Sequence, residues 1–307
     1  MRILVTGSAG FIGTHLCREL REAGHHVDGV DIDFHGRSVD EVMFGKDISK
    51  RDDLRELLKL NSPQMVIHLA AKVGRLFGED DVQRTIADNA GITALVAKEC
   101  GERNIRLVYA STSEVYGDEA NVTCYEENLG RSVAPHRIPH NAYGLSKRWG
   151  EEISRLYCPN GLTILRLSMP YGPGLPAGRG RAAIINMLWQ ADNRQTIPVH
   201  KASERSWCWV GDTVRGVRMI LDTPGGIFNV GRDDDPRPMR QVAEMACDLT
   251  GADHDLIEMI NPPERQTVVK RLSTRKLRDL GWSPSVSLEE GMAECLAWIR
   301  EQQQVAA

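Results

Sequence analysis

No stretch of this 307-residue chain approaches the apolar length that spans a bilayer. No membrane anchor is therefore expected. The first residues already read as a strand rather than a leader, so a cytoplasmic location is the expectation. The seven cysteines include no C-x-x-C pair and are scattered, which predicts reduced, buried thiols rather than bridges or metal ligands. The nine histidines form no H-E-x-x-H or similar ligand set, so no metal is expected. No sign of charge dominates: 38 Lys and Arg stand against 42 Asp and Glu, a net charge of -4. A broad basic surface is thus absent, and no nucleic-acid partner is expected. Internal repeats and low-complexity tracts are missing too. What remains, 41% apolar and 26% charged residues, is enough for a globular core in one large domain or two modest ones.

The most informative stretch comes first, in MRILVTGSAGFIGTHLCRELREAG. Arg2–Thr6 is a short apolar run with β-branched members, which predicts a buried strand. Gly7, Gly10 and Gly13 follow, spaced G-x-x-G-x-x-G. Ile12, Leu16 and Leu20 then recur at helical spacing until Gly24 ends the helix. Glycines between a strand and a helix let the backbone turn tightly and approach a pyrophosphate. The helix N-terminus then supplies free N–H groups and a partial positive charge. Asp31 closes the next expected strand, Val27–Asp31, where an acid completes a dinucleotide-binding pattern.

Further strands are expected at Gln64–Leu69, Leu107–Ala110 and Thr163–Leu167. Helices are expected over about 50–60, 82–101 and 141–156. Strands alternating with helices at this spacing predict a doubly wound parallel sheet of the α/β class. Asp31, Ala70-Ala71 and Ser111–Glu114 all fall at carboxyl ends of strands, where such sheets bind ligands. Residues 121–139 read as irregular. The run P-Y-G-P-G-L-P-A-G-R-G over Pro170–Gly180 is a composition shift that marks a change of domain. Arg205–Val210 and Ile227–Val230 read as strands, and Ser287–Arg300 as a last helix.

Two groups carry chemistry. Tyr143 and Lys147, spaced Y-x-x-x-K, lie one turn apart on one helix face. A lysine ammonium beside a phenol is expected to lower its pKa and make it a general base. Ser111-Thr112-Ser113-Glu114-Val115-Tyr116-Gly117 places hydroxyls and a carboxylate just past a central strand.

Taken together, the chain resembles an extended short-chain dehydrogenase/reductase of the NAD-dependent nucleotide-sugar epimerase/dehydratase family. The glycine loop, Asp31, Asp47-Ile48, His68–Ala71, Ser111–Gly117 and Tyr143-x-x-x-Lys147 carry the resemblance. Arg166 with Tyr171-Gly172-Pro173, Arg205–Asp212 and Leu280-Gly281-Trp282-x-Pro284 continue it in family order. The resemblance implies a Rossmann-like NAD domain over 1–166, with 207–231 returning to it. It also implies a smaller, discontinuous nucleotide-sugar domain over 167–206 and 232–307. NAD is implied as cofactor, held by Gly7, Gly10, Phe11, Ile12, Gly13, Asp31, Asp47, Ile48, Leu69, Ala70, Ala71, Tyr143 and Lys147. Asp31 would take the adenosine ribose hydroxyls and repel a 2′-phosphate. Thr112, Glu114, Tyr143 and Lys147 are the implied catalytic set. Thr112, Ser113, Arg205 and Arg265 would meet the substrate, the two arginines at its diphosphate.

Tyr143 would take the proton of the sugar C4 hydroxyl, and the resulting C4 ketone would acidify C5. Glu114, in T-x-E, resembles the 4,6-dehydratases and some decarboxylases, and is expected to act as acid or base at C5 or C6. Two residues depart from the family pattern. Ser113 stands where dTDP-glucose 4,6-dehydratases carry Asp, and Met169 where R-x-x-N has its Asn. Lys72, Arg75 and Asp80 are further candidates for shaping sugar specificity. The leading expectation is a 4,6-dehydratase or related C5-active enzyme. A 4-epimerase or UDP-glucuronate decarboxylase is the alternative, the latter drawing support from Arg181 and Asn186. A catalytically silent NAD-binding sensor is the alternative of another class. A homodimer through the helices around Asp88–Glu99 and Tyr143–Leu156 is expected.

Overall fold

Strand β1 (Arg2–Thr6) lies at the centre of a seven-stranded sheet in which every pairing is parallel. The chain is seen in a computed structural model, which describes residues 1–33, 44–117, 139–175, 183–263, 269–270 and 272–306. On one side of β1 follow β2 (His26–Asp31) and β3 (Phe44–Gly45). On the other come β4 (Met65–His68), β5 (Arg106–Thr112), β6 (Thr163–Leu167) and finally the Gly226–Val230 strand. The order reverses between β1 and β4, so the crevice at the carboxyl ends of the strands opens there.

The strands form because their apolar, β-branched residues are covered on both faces. Ile3, Val5, Ile67, Val108 and Leu165 share one apolar cluster with Leu16 and Leu20 of the Phe11–Glu22 helix. Leu4, Val66 and Leu107 face another with Leu54, Leu57 and Val96. A further cluster lies away from the sheet. It joins Tyr171, Ile184, Leu188, Val199, Val242 and Met292, with helices Ala183–Asp192, Met239–Thr250 and Leu288–Ala306 supplying most of it. Leu277 and Trp282, late in the chain, pack into the sheet cluster instead.

Several elements differ from expectation for local reasons. The expected 82–101 helix is Val82–Ile86, a π turn over Ala87–Gly91, and Ile92–Glu102. A short helix, Arg75–Asp80, precedes it where charged residues read as loop. The expected strand 205–210 splits into Glu204–Ser206 and Cys208–Trp209, and Val210 instead opens the Val210–Leu221 helix. Strand β5 runs on through Thr112, so the hydroxyls of Ser111 and Thr112 are part of the strand itself and Ser113 opens the turn after it. Residues 176–180 and nearly all of the irregular 121–139 stretch lie outside the described residues, as do Arg181 and Arg265. Among the described residues no helix is long and apolar enough to cross a membrane.

Candidate active site

The glycine loop is packed so closely that it leaves no room for side chains. Gly7 has φ +72°, and a Cβ there would lie 2.7 Å from the Ala70 nitrogen. A Cβ on Gly13 would lie 2.1 Å from the Gly7 carbonyl oxygen, so the helix rests directly on the loop. The Gly7 amide donates to the Val30 carbonyl at 2.9 Å, fixing the loop over β2. The Phe11–Glu22 helix has no side-chain cap and no acid in its first turn, so its N-terminal amides face the crevice. Asp31 accepts the Ala9 amide at 3.0 Å on Oδ2, and the Ile32 amide at 2.8 Å and the Asp33 amide at 3.4 Å on Oδ1. A carboxylate has about four lone-pair sites, so one on Oδ2 is left over. An uncapped helix start over an acid at the end of β2 fits an adenine dinucleotide: phosphates at the amides, ribose hydroxyls at Asp31. Asp47 is turned into its own backbone. It accepts the Ser49 amide at 3.0 Å and hydroxyl at 2.6 Å, bonds that hold its pKa below the usual carboxylate range, while Ile48 is buried.

Beneath Leu69, Ala70 and Ala71 lies a buried polar pin. The Thr6 hydroxyl meets His68 Nδ1 at 2.7 Å and accepts the Ala70 amide at 3.3 Å. His68 Nε2 meets the Thr93 hydroxyl at 3.2 Å. Burial, with the Lys147 charge second, brings the His68 pKa down to about 3, so the ring stays neutral.

The reacting end is built where β5 meets the Ala142–Tyr157 helix. Thr112 caps the Ser113–Tyr116 turn, its hydroxyl accepting the Glu114 amide at 3.3 Å. Asn141 caps the helix by accepting the Gly144 amide at 2.8 Å, and its side-chain amide donates to Glu114 Oε2 at 3.2 Å. A Cβ on Gly144 would lie 3.1 Å from the Glu114 Cβ, so turn and helix touch. Tyr143 is buried and hydrogen-bonded to Thr112. Thr112, Glu114 and Tyr143 are thus brought together. Lys147, one turn on, donates to the Ala110 carbonyl at 2.8 Å and lies 5.1 Å from the Tyr109 ring centroid.

The electrostatics correct one expectation. The Y-x-x-x-K spacing predicts that Lys147 pulls the Tyr143 phenol down. Instead burial pushes the phenol up and the Glu114 charge adds to this, while the Thr112 hydrogen bond opposes them. Burial also brings Lys147 itself down to about 7, because its ammonium has lost water and faces a neutral carbonyl.

Sequence reasoning missed Asn89, in the π turn. It is buried, accepts the Lys72 amide at 2.8 Å, and donates to the Lys72 carbonyl and the Ser146 hydroxyl, both at 3.0 Å. The signal was an amide on the buried face of an otherwise apolar helix. Reasoning also missed the extent of the buried pair below the site. Glu151 takes Arg166 Nε at 2.9 Å and Nη2 at 2.7 Å, and also accepts the Ser111 hydroxyl at 2.6 Å. Met169 has φ +49°, the left-handed conformation that Asn tolerates better, and its side chain packs against the outer apolar cluster. Arg205 is buried in the Glu204–Ser206 strand, which pairs with Pro236–Pro238 and with Val269–Lys270. Ser113 is buried beside Thr112.

Comparison with known proteins gives the family and the fold. Residues 3–231 match the NAD dependent epimerase/dehydratase family. A UDP-N-acetyl-alpha-D-glucosaminuronate decarboxylase of Bacillus cytotoxicus is 28% identical, with 98% of each chain covered. UDP-glucuronic acid decarboxylase 6 of Arabidopsis thaliana is 29% identical over 95% of this chain and 87% of that protein. Among solved structures, a Thermotoga maritima UDP-glucose 4-epimerase superposes with TM-score 0.87 at 23% identity, covering 99% of this chain and 100% of its own.

Proposed function

Because this chain belongs to the NAD dependent epimerase/dehydratase family, we propose that it oxidises C4 of a nucleotide sugar and then acts at C5, releasing carbon dioxide from a nucleotide hexuronate. The glycine loop and Asp31 are shaped to hold NAD, which when bound would supply the hydride acceptor for C4. Tyr143 receives the C4 hydroxyl proton as the phenolate, a form that the Thr112 hydrogen bond favours and that the positive charge of an oxidised nicotinamide would favour further once bound, against the burial that raises its pKa in the ligand-free protein. With O4 a carbonyl, the C5 carboxylate leaves as carbon dioxide and its bonding pair moves toward C4. The Thr112 and Tyr143 hydroxyls stabilise the charge on O4, and Glu114, in its acid form, gives C5 the replacing proton. Lys147 holds the ribose next to the reacting carbon, Arg205 the diphosphate, and Ser113 the sugar. Arg265 keeps its proposed place at the diphosphate.

One observation carries the choice of reaction. The strand-end turn offers a single carboxylate, Glu114, flanked by the hydroxyls of Thr112 and Ser113. Loss of water needs a proton delivered to the leaving hydroxyl, a task the Ser113 hydroxyl performs poorly. Loss of carbon dioxide needs none. The names of the two relatives above point the same way. The second reading is a 4,6-dehydratase, in which Glu114 serves both C5 and C6.

We also propose the two-part division at 166, with 207–231 in the nucleotide part. Leu277 and Trp282 belong with that part as well, since they share its core. A cytoplasmic homodimer is proposed, supported by exposed Trp149, Leu156 and Tyr157 on the Ala142–Tyr157 helix.

Incubating the NAD-loaded protein with UDP-, GDP- and dTDP-hexoses and with UDP-hexuronates, and weighing the product, tests the reaction. Loss of carbon dioxide is expected; loss of water selects the dehydratase, and unchanged mass with a new isomer the epimerase. No product from any sugar selects the sensor. Glu114→Gln is expected to lower turnover by about 10²-fold or more, the usual scale of general acid catalysis. Full turnover in that variant removes Glu114 from the mechanism.

A further inference from the structure

Three charged residues follow Ala71, and the structure separates them. Lys72 faces Asp88, with Nζ 3.8 Å from Oδ2. Asp80 is exposed at the end of the Arg75–Asp80 helix. Arg75, at the start of that helix, is half-buried yet makes no hydrogen bond or ion pair with any described residue. Its guanidinium keeps contact with solvent and no described group neutralises its charge, which leaves its donors open to a ligand.

Position narrows what that ligand is. Arg75 and Gly78 are three residues apart and share a helix face. A Cβ on Gly78 would lie 3.1 Å from the Tyr143 Cβ, so that face is pressed against the reacting end of the site. The Glu79 carboxylate accepts the Ala142 amide at 2.8 Å, which fixes the short helix to the Tyr143 helix. From the other strand system, the Ile197–His200 strand leads through a turn to Glu204–Ser206, placing His200 and buried Arg205 on the same segment. Burial lowers the His200 pKa, and the charges of Arg205 and Arg75 add to this, so both cations act on the same ring.

We infer that Arg75 is a substrate-binding residue that takes an oxyanion of the nucleotide sugar. The inference rests on the nucleotide-sugar reading above. The oxyanion is a diphosphate oxygen or the carboxylate of a hexuronate, since the guanidinium pairs with either in the same forked geometry. Either way Arg75 spans the site from the nucleotide-binding side, so the substrate is held by both parts of the chain.

Calorimetric titration of the NAD-loaded protein and of Arg75→Gln with UDP, UDP-glucose and UDP-glucuronate tests it. Removing one charge-assisted hydrogen bond predicts about 10- to 100-fold weaker binding. If Arg75 meets the diphosphate, all three ligands weaken; if it meets the carboxylate, UDP-glucuronate alone does. Arg75→Lys is expected to recover part of the affinity. Arg75→Gln is expected to leave the melting temperature of the ligand-free protein unchanged, because the side chain has no described partner to lose. Unchanged affinity of Arg75→Gln for all three ligands overturns the inference while leaving the nucleotide-sugar reading intact. Failure of the unaltered protein to bind any of them, or GDP- and dTDP-sugars tried in the same way, overturns that reading and the inference with it.

Discussion

Lys147 carries an ionisable group into the interior, where it has lost its water. Its ordinary pKa is 10.5, and burial lowers it to about 7. Between these values the unfolded chain holds a proton that the folded chain has released. Stability of the ligand-free protein therefore rises with pH across that window, and the cost of burying the charge is present in full below about pH 7. Lys147→Met removes this contribution. In urea titrations from pH 7 to 10 the variant is expected to lose most of its stability advantage over the unaltered protein as pH rises; parallel curves would contradict the buried-ammonium account. His68 behaves likewise at lower pH. Its pKa falls from 6.5 to about 3, so stability drops as pH falls through that range. Met169 shows another side of the residue scale. A left-handed backbone at this position suits Asn, and methionine holds it only with its side chain packed into the outer apolar cluster.

At the scale of elements, the first strand, loop and helix act as one piece. Gly7 lies against the chain leaving β4 and Gly13 against Gly7, so strand, loop and helix have no slack between them. In Gly13→Ala the new methyl would sit 2.1 Å from a backbone oxygen and 2.8 Å from the Ser8 Cα, neither of which is a flexible side-chain end. The helix has to move outward, carrying its N-terminal amides away from the phosphates. NAD affinity is expected to fall at least about tenfold, with a stability loss of about 1–3 kcal/mol, the usual cost of overpacking. Fluorescence titration with NAD beside a thermal melt reads both; unchanged NAD affinity would show that the helix start does not hold the cofactor. The Asn141 cap works on the same scale, for one side chain starts the Tyr143 helix and steadies Glu114.

Across the whole molecule, a buried polar chain ties the sheet to the last part of the sequence. Ser111 of β5, Glu151 of the Tyr143 helix and Arg166 of β6 are bonded together. The Arg166 guanidinium lies 4.8 Å from the Tyr116 ring centroid, and the Tyr116 hydroxyl donates to Asn229 at 2.7 Å. Asn229 in turn donates to the Ser273 carbonyl at 2.8 Å. Arg166 and Glu151 are both almost wholly buried. Glu151→Gln would strand the Arg166 charge in the sheet, at a cost of about 3–5 kcal/mol. Chemical denaturation is expected to show that loss, and a change below about 1 kcal/mol would mean that water reaches the pair.

Periodicity and glycine spacing made the α/β sheet legible, because strand and helix repeats are local properties of sequence. The strand Thr163–Leu167 is legible to the residue. Gly7, Asp31, Thr112, Tyr143 and Lys147 were legible for the same reason, each lying in a short motif. The helices Ala183–Asp192, Val210–Leu221 and Met239–Thr250 were not read from the sequence, and two of them begin directly after short strands, with no loop to mark the change. The π turn that turns Asn89 inward, the protonated state of Tyr143 and the neutral tendency of Lys147 depend on burial by residues distant in sequence. Sequence by itself determined the glycine loop between β1 and its helix and the motifs that the fold gathers at the end of β5. Only the tertiary structure decided their charges and their partners, because desolvation and long-range Coulomb forces act through space and leave no mark on spacing along the chain.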